Sequence, residues 1–319
     1  MALEKRYVAK LDTEVTRLGV GALPMGPLQR QLSPADGGRV IRAALERGVN
    51  FVDTATAYRT YEHVAAGIRG WDGPLVVSTK THARTDADAA REHIETALKS
   101  LDRDYIDIML CHCARSPFTD DEWGPTFEAL LAARDKGVIR MVGISSHTVG
   151  AVRAAAQCPE VDAIHPLFNQ TGMGIIDGGA EDMATAICDA HAAGKFIYAM
   201  KAMAGGNLVP TREQALRYVL AIQQVDSVIV GMVTEREVEW NVRYFGGEEI
   251  PEDLAEETSM HSKRLNILEF ICEGCGACVE HCENDALFLE GGVAKVRRDQ
   301  CILCGYCAPH CPQFAIRMV

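Results

Sequence analysis

Eight of the twelve cysteines form two runs of identical spacing near the end of the 319-residue sequence. Each run reads C-x2-C-x2-C-x3-C, and together they comprise Cys272, Cys275, Cys278, Cys282, Cys301, Cys304, Cys307 and Cys311. This spacing is typical of bacterial domains that bind a pair of [4Fe–4S] clusters. Clusters of this kind transfer single electrons, so the spacing predicts redox chemistry.

The fourth cysteine of each run is expected to bind the cluster of the other run. One cluster would be held by Cys272, Cys275, Cys278 and Cys311, and the second by Cys301, Cys304, Cys307 and Cys282. One position departs from the pattern, because Pro312 follows Cys311 whereas Glu283 follows Cys282. The alternatives to iron–sulfur clusters for these cysteines are zinc sites and disulfides. Zinc sites usually pair two C-x2-C units, and disulfides need an oxidising compartment.

Composition limits the classes of protein to which the chain can belong. Hydrophobic residues make up 48% and charged residues 24%, which suits one large and one small folded domain. Residues 1–12 lack the apolar region of an export signal, and no apolar run approaches the ~18 residues of a membrane helix. A net charge of −12 argues against nucleic acid as a partner. We therefore expect a cytoplasmic protein without a membrane partner, in which Cys158 and Cys188 are reduced.

The first 250 residues alternate between predicted strands and helices. Apolar, β-branched stretches predict strands at 17–23, 51–55, 75–80, 106–113, 138–145, 163–169, 196–202 and 227–233. Ser33 and Pro34 predict the start of a helix, and Gly48, Gly137 and Gly194 predict helix ends. Eight such units predict an α/β fold of the (β/α)₈ TIM-barrel type. The competing doubly wound sheet would usually carry G-x-G-x-x-G at its first turn, and residues 19–26 do not fit it.

Active sites of such barrels lie at the C-terminal ends of the strands. The ends of the predicted strands carry, in chain order, Asp53, Tyr58, Lys80, His112, Ser145, Ser146, His165, Asn169, Lys201, Gly231 and Met232. Any one of these has a structural alternative: Asp53 and Lys80 as a buried ion pair, or His112 as a core histidine. Ionisable residues at three consecutive strand ends favour catalysis.

Five segments, at 50–58, 78–80, 105–112, 137–147 and 225–232, together resemble the aldo-keto reductase superfamily from about residue 8 to about residue 245. The resemblance implies a catalytic tetrad of Asp53, Tyr58, Lys80 and His112. Tyr58 would protonate a carbonyl oxygen as hydride reaches the carbon. Lys80, hydrogen-bonded to the phenol and paired with Asp53, would lower the pKa of Tyr58, and His112 would orient the carbonyl.

The resemblance also implies a nicotinamide nucleotide. The residues expected around it are Ser145, Ser146, His165, Asn169, Lys201, Gly231, Met232 and Asn241. Three positions depart from the family: His165 replaces a glutamine, Met200 an aromatic residue, and Gly231 the lysine that binds the 2′-phosphate of NADP. Arg236 is a candidate substitute charge. The sequence leaves NAD, NADP or no nicotinamide open. It leaves a flavin open too, since glycine-rich residues 204–208 fit either a phosphate loop or an ordinary turn.

The domain organisation follows as a barrel over 1–250, a linker or terminal helix over 251–267, and a small α+β ferredoxin-type iron–sulfur domain over 268–319. Loops 23–31 and 113–123 would shape the substrate mouth, with Trp123 near it. Cys111 and Cys113 would face the helices, because they flank His112 on a strand.

Three functions fit these expectations. The first is an aldo-keto reductase-type oxidoreductase acting on a small carbonyl or alcohol, whose clusters exchange electrons with a ferredoxin, another redox protein or a flavin. The second is a one-electron reductase without nicotinamide, in which the barrel supplies protons. The third is an electron-transfer subunit with a docking barrel, against which the retained tetrad argues.

Overall fold

Eight parallel strands close into a barrel in the computed structural model, which describes residues 3–115, 123–259, 264–313 and 315–318. The barrel strands are β3 (Leu18–Gly21), β4 (Phe51–Asp53), β5 (Val76–Thr81), β6 (Ile106–Cys111), β7 (Ile139–Ser146), β8 (Ala163–Pro166), β9 (Phe196–Ala199) and β10 (Ser227–Gly231). Neighbours pair in chain order, and β10 pairs with both β9 and β3. The predicted TIM barrel is confirmed.

Helices connect the strands and surround the barrel. They are α1 (Pro34–Glu46), α2 (Tyr61–Ile68), α3 (Ala87–Leu101), α4 (Gly124–Asp135), α5 (Val149–Gln157), α6 (Ala180–Ala192), α7 (Arg212–Ala221), α8 (Glu235–Phe245) and α9 (Glu252–Ser259). Short 3-10 helices lie at Ala9–Leu11, Leu23–Met25, Thr56–Tyr58, Ala204–Gly206 and Val209–Thr211.

The predicted helix boundaries have clear physical causes. The Ser33 hydroxyl accepts a hydrogen bond from the Asp36 amide at 3.1 Å, which satisfies a free donor at the start of α1. Gly48, Gly137 and Gly194 have φ angles of 91°, 75° and 81°, a left-handed conformation that favours glycine. These turns direct the chain from each helix back into the next strand.

An N-terminal hairpin was not anticipated from the sequence. Strands β1 (Lys5–Val8) and β2 (Thr13–Thr16) pair antiparallel before the barrel begins. Val8, Leu11 and Val15 pack against apolar side chains of the barrel strands, among them Phe51 and Ile108. The hairpin therefore covers one end of the barrel interior.

The C-terminal region is small and consists of short elements. Strands β11 (Leu265–Ile267) and β14 (Ile316–Met318) pair antiparallel, as do β12 (Leu287–Glu290) and β13 (Val293–Val296), and α10 spans Ala277–Glu280. Its apolar cluster contains cysteine side chains among Leu265, Leu287 and Leu303. The division at 250 and 268 stays a prediction. Within the described ranges, none of the helices has the length and apolar character required to cross a membrane.

Candidate active site and cysteine cavities

The four residues of the predicted tetrad meet at the C-terminal end of the barrel. Asp53 ends β4, Tyr58 lies on the 3-10 helix that follows, Lys80 lies near the end of β5, and His112 directly follows β6. All four are buried, with at most 7% of their surface exposed. Parallel strands deliver these side chains to one edge although up to 59 residues separate them in the chain.

Lys80 and Asp53 form a buried ion pair. Lys80 Nζ lies 2.6 Å from each carboxylate oxygen of Asp53 and donates a third hydrogen bond to the Thr54 carbonyl at 2.8 Å. Burial raises the pKa of Asp53 and lowers that of Lys80, and each charge opposes the shift of the other. The bidentate contact favours the charged pair.

The expected hydrogen bond from Lys80 to the Tyr58 phenol is not among the bonds of the described residues. Lys80 Nζ lies 5.0 Å from the centroid of the Tyr58 ring, and its donors bond Asp53 and Thr54. The pKa of Tyr58 is raised well above its usual value, first by burial and then by the charge of Asp53. This direction is opposite to the predicted lowering, and its first cause is the burial of the phenol.

Two buried histidines border the tetrad. Burial, followed by the charge of Lys80, holds the pKa of His112 and of His165 well below the usual value, so both imidazoles are neutral near pH 7. His165 Nδ1 bonds the Tyr198 carbonyl, and its Nε2 lies 3.9 Å from Asp53. A neutral imidazole can donate a hydrogen bond to a carbonyl oxygen without placing a second charge in the site.

A cleft runs from the tetrad outward across the ends of β3, β9 and β10 to α8. It encloses about 1170 Å³ of space that is open to solvent. Its inner end is lined by Asp53, Tyr58 and His165, and its outer end by Trp240 and Asn241. A long cleft beside the candidate acid suits an extended ligand such as a dinucleotide.

Half of the expected cofactor residues line this cleft, namely His165, Lys201, Gly231 and Asn241. The other four are not among the residues that line it, and their role towards a cofactor stays a prediction. Ser145 Oγ accepts a bond from the Cys113 amide at 2.9 Å, and Ser146 Oγ donates to the Ala114 carbonyl at 2.7 Å. Asn169 bonds within its own turn, and Met232 packs in the core. These side chains support the loops.

Arg236 does not offer its charge to the cleft. Its guanidinium lies 2.7 Å from Asp253, 2.8 Å from Glu257 and 3.1 Å from Glu239, and these carboxylates raise its pKa. Glu237 lines the outer cleft instead. The suggestion that Arg236 replaces the missing lysine is therefore not supported by the geometry.

The eight cysteines of the two runs surround two cavities. Cys272, Cys275, Cys278 and Cys311 line one, and Cys282, Cys301, Cys304 and Cys307 line the other. These are the two crossed sets expected from the spacing. In the described part of the chain, no three His, Cys, Asp or Glu side chains converge as ligands of a single ion would. Thiols arranged around an open volume suit a multi-atom cluster.

Trp123 was predicted near the mouth, and Cys111 and Cys113 were predicted to face the helices. Trp123 is fully buried in the core between barrel and helices. Cys111 packs in that core as expected, whereas Cys113 has a left-handed φ of 57° beyond the end of β6. Strand alternation no longer applies there. Residues 116–122 of the second mouth loop lie outside the described residues.

The C-terminal region lies directly on the barrel mouth, which sequence reasoning missed. Asn284 Nδ2 bonds the Gly174 carbonyl at 2.7 Å, and Asn207 Nδ2 bonds the Cys301 carbonyl at 3.0 Å. Gly205 approaches Ile302 so closely that an added Cβ would lie 1.7 Å from its carbonyl oxygen. The glycines at 204–208 thus serve this contact. The one sequence signal of this contact is Tyr306, an aromatic residue between two predicted cluster ligands.

Known protein families match both the barrel and the C-terminal region. Residues 17–214 match the Aldo/keto reductase family and residues 294–317 a 4Fe-4S binding domain. L-galactose dehydrogenase of Arabidopsis thaliana is 24% identical over 281 residues, 75% of this chain and 87% of that protein. An aldo-keto reductase of Mycobacterium marinum is 32% identical over 152 residues, 44% of this chain and 52% of that protein.

Solved structures show the same fold. The holo form of an aldo-keto reductase from Bacillus halodurans superposes with a TM-score of 0.63 at 21% identity, covering 80% of this chain and 95% of that one. An aldo-keto reductase of Bombyx mori in complex with NADP gives a TM-score of 0.59 at 17% identity, covering 81% and 92%.

Proposed function

The chain belongs to the aldo/keto reductase family, and we propose that it interconverts a small carbonyl compound and its alcohol in a site linked to two [4Fe–4S] clusters. It is an oxidoreductase of this family with a 4Fe-4S binding motif. The observation that carries the proposal is that the buried tetrad lines a long cleft on one side and, on the other, contacts Tyr306, which lines a cysteine-lined cavity.

The cleft fits a nicotinamide nucleotide, which supplies hydride when bound. Its inner end is lined by Tyr58 and His165, where a nicotinamide ring would meet the carbonyl carbon. Asn241 at the outer end carries an amide suited to adenine. The NADP reported for the Bombyx mori relative supports this class of cofactor.

Tyr58 is the candidate acid for the carbonyl oxygen. In the reduction, hydride adds to the carbonyl carbon while the phenol proton passes to the oxygen, so two electrons and two hydrogens convert the carbonyl to an alcohol. A phenol with a raised pKa keeps its proton near pH 7, so the proton is available to the carbonyl oxygen as hydride arrives. Neutral His112 donates to the same oxygen and positions it.

The two thiol sets would hold the clusters, which exchange one electron each. Cys301 and Cys304 belong to the set nearest the barrel, and Ile302 between them packs against Leu167 and Met200. Ammonium Lys201 opposes the rise in pKa that burial causes in the Cys304 thiol, which favours the thiolate that iron binds. A ferredoxin or another redox protein is the expected external partner.

A second candidate function drops the nicotinamide. Because the loop of Cys301 to Cys307 touches the tetrad, a cluster held there could deliver two single electrons in turn to a carbonyl, while barrel residues provide two protons. The contact between Tyr306 and His112 favours this candidate.

One experiment tests both. Anaerobically prepared protein is assayed with acetophenone, which carries no nitro group that dithionite could reduce by itself, using NADH, NADPH or dithionite as the reductant. Tyr58→Phe should lower turnover about 100-fold or more, the usual worth of a positioned acid, while the iron content stays unchanged. Tyr61→Phe is the matched control, because this buried hydroxyl bonds Thr56 and Thr79 outside the tetrad. Turnover with dithionite alone would favour the second candidate, and full activity of Tyr58→Phe would contradict both.

A further inference from the structure

One loop of the C-terminal region enters the tetrad itself. Tyr306 lies between Cys304 and Cys307, and its hydroxyl oxygen is 3.3 Å from His112 Nε2. The Tyr306 ring also lies beside that of Tyr58, with the two rings inclined by 29° and their centroids 6.4 Å apart. A side chain from the far end of the chain thus contacts both groups that would bind a substrate oxygen.

The backbone holds Tyr306 in this place from two sides. Gly305 has a φ of 85°, and an added Cβ would lie 2.2 Å from the Leu28 carbonyl oxygen, so only glycine allows this approach to the first mouth loop. Gln29 Nε2 donates to the Leu303 carbonyl at 3.3 Å. The insertion of Tyr306 is therefore fixed by contacts on the mouth loop.

Resting on the proposed roles of Tyr58 and His112, we propose that the Tyr306 hydroxyl occupies the subsite of the substrate's carbonyl oxygen and must withdraw before a carbonyl binds. A carbonyl oxygen needs hydrogen-bond distance, about 2.6–3.2 Å, to both the Tyr58 hydroxyl and His112 Nε2. The Tyr306 oxygen lies 3.3 Å from His112 Nε2 and its ring lies beside that of Tyr58, so it fills the space that a carbonyl oxygen would need. Occupation of the subsite by Tyr306 and by substrate is mutually exclusive.

The position of Tyr306 also links substrate entry to the cysteine-lined cavity. Its neighbours Cys304 and Cys307 both line that cavity, so the ring in the subsite belongs to the same loop as two predicted cluster ligands. Tyr306 is therefore a residue that determines which carbonyl compounds reach the tetrad.

A binding experiment that involves no hydride transfer tests the proposal. Tyr306→Ala, prepared anaerobically with its full iron content, should open a phenol-shaped space beside Tyr58 and His112. Fluorine NMR would measure the binding of 4-fluorophenol and of fluorobenzene, which lacks the hydroxyl. We expect the variant to bind 4-fluorophenol at least fivefold tighter than fluorobenzene, and the wild type to bind neither. Adding Tyr58→Phe should remove most of this preference.

Leu303→Ala is the matched control, since Leu303 is buried in the same loop but packs in the C-terminal cluster. It should show no preference for the phenol. If Tyr306→Ala loses iron, Tyr306→Leu is used in its place, because leucine keeps the packing near the backbone. Equal affinities for the two probes, or a preference that survives Tyr58→Phe, would overturn the proposal and assign Tyr306 to packing. If the wild type is inactive towards carbonyls, that result counts against the proposed function. The binding experiment still tests the position of Tyr306.

Discussion

Lys80 Nζ contacts both carboxylate oxygens of Asp53 at 2.6 Å, in a place where the exposed fractions of the two side chains are 0% and 4%. Removal of water from both charges costs free energy, which the bidentate contact and the bond to Thr54 offset. The ion pair is therefore stable when both charges are present, whereas either charge alone would be buried without an opposite charge to offset its loss of water.

Single substitutions in this pair should destabilise the fold more than the double substitution. Asp53→Asn or Lys80→Met leaves one buried charge unpaired, which costs about 3–5 kcal/mol in the free energy of unfolding. Asp53→Asn combined with Lys80→Met removes both charges and should recover part of that loss. Urea unfolding of the three anaerobic variants measures the coupling. Additive losses would show that the two charges do not depend on each other.

The pairing of cysteines to clusters can be tested with variants that carry equal numbers of substitutions. Cys282→Ala with Cys304→Ala removes two thiols of one cavity and should leave about four irons per chain, because one [4Fe–4S] cluster remains. Cys304→Ala with Cys311→Ala removes one thiol from each cavity and should leave fewer irons. Iron and sulfide analysis distinguishes them. Equal iron loss in the two variants would contradict the crossed pairing, and stoichiometric zinc in the wild type would contradict the clusters.

The barrel was predictable because its signals are local. Each strand is a short β-branched run, and each return turn has a glycine whose left-handed φ is required at that place, as at Gly48. The ends of parallel strands meet at one edge in any such barrel, so Asp53, Lys80 and His112 were placed together without coordinates. The crossed cysteine sets follow from the same kind of spacing rule.

The remaining features depend on contacts between distant segments. Nothing local distinguishes Ser146, whose hydroxyl supports a loop, from a residue that faces the cleft. The pKa of Tyr58 depends on its burial and on the nearby charge of Asp53, which chain order does not reveal. The insertion of Tyr306 joins residues 194 positions apart, and only the packing of the two regions determines it.

Discrimination between NADH and NADPH should be weak or should favour NADH. An added Cβ at Gly231 would lie 2.7 Å from Pro24, so a lysine does not fit there without movement, and Arg236 is held by carboxylates. Loss of a charge-assisted contact to the 2′-phosphate is worth about 1.5–3 kcal/mol, or about tenfold or more in affinity. Fluorescence titration of the oxidised protein measures both affinities. A hundredfold preference for NADPH would contradict this prediction.

Glu237 allows a sharper version of that test. Its carboxylate lines the outer cleft, where it would repel a phosphate. Glu237→Gln should raise the affinity for NADPH relative to NADH by several-fold. Glu235→Gln, with the same change of charge on the same helix but an exposed side chain outside the cleft lining, should not. If neither nucleotide binds, the clusters become the preferred source of electrons.

His147 should make the fold sensitive to acid. Burial, aided by the charges of Lys201 and Arg115, lowers the pKa of His147 to about 3, whereas an unfolded histidine titrates near 6.5. Between these values the unfolded chain binds the proton and the folded chain does not. The contribution of His147 to the free energy of unfolding is therefore complete above pH 6.5 and decreases as the pH falls, by about 1.4 kcal/mol per pH unit.

His147→Gln cannot take up the proton, so between pH 6.5 and 5 its free energy of unfolding should fall by about 2 kcal/mol less than that of the wild type. The buried His112 and His165 titrate in both proteins, and their effects cancel in the comparison. Urea unfolding of the iron-loaded proteins at pH 5, 6 and 7 measures the difference, and equal losses in the two proteins would show that His147 does not carry the acid sensitivity.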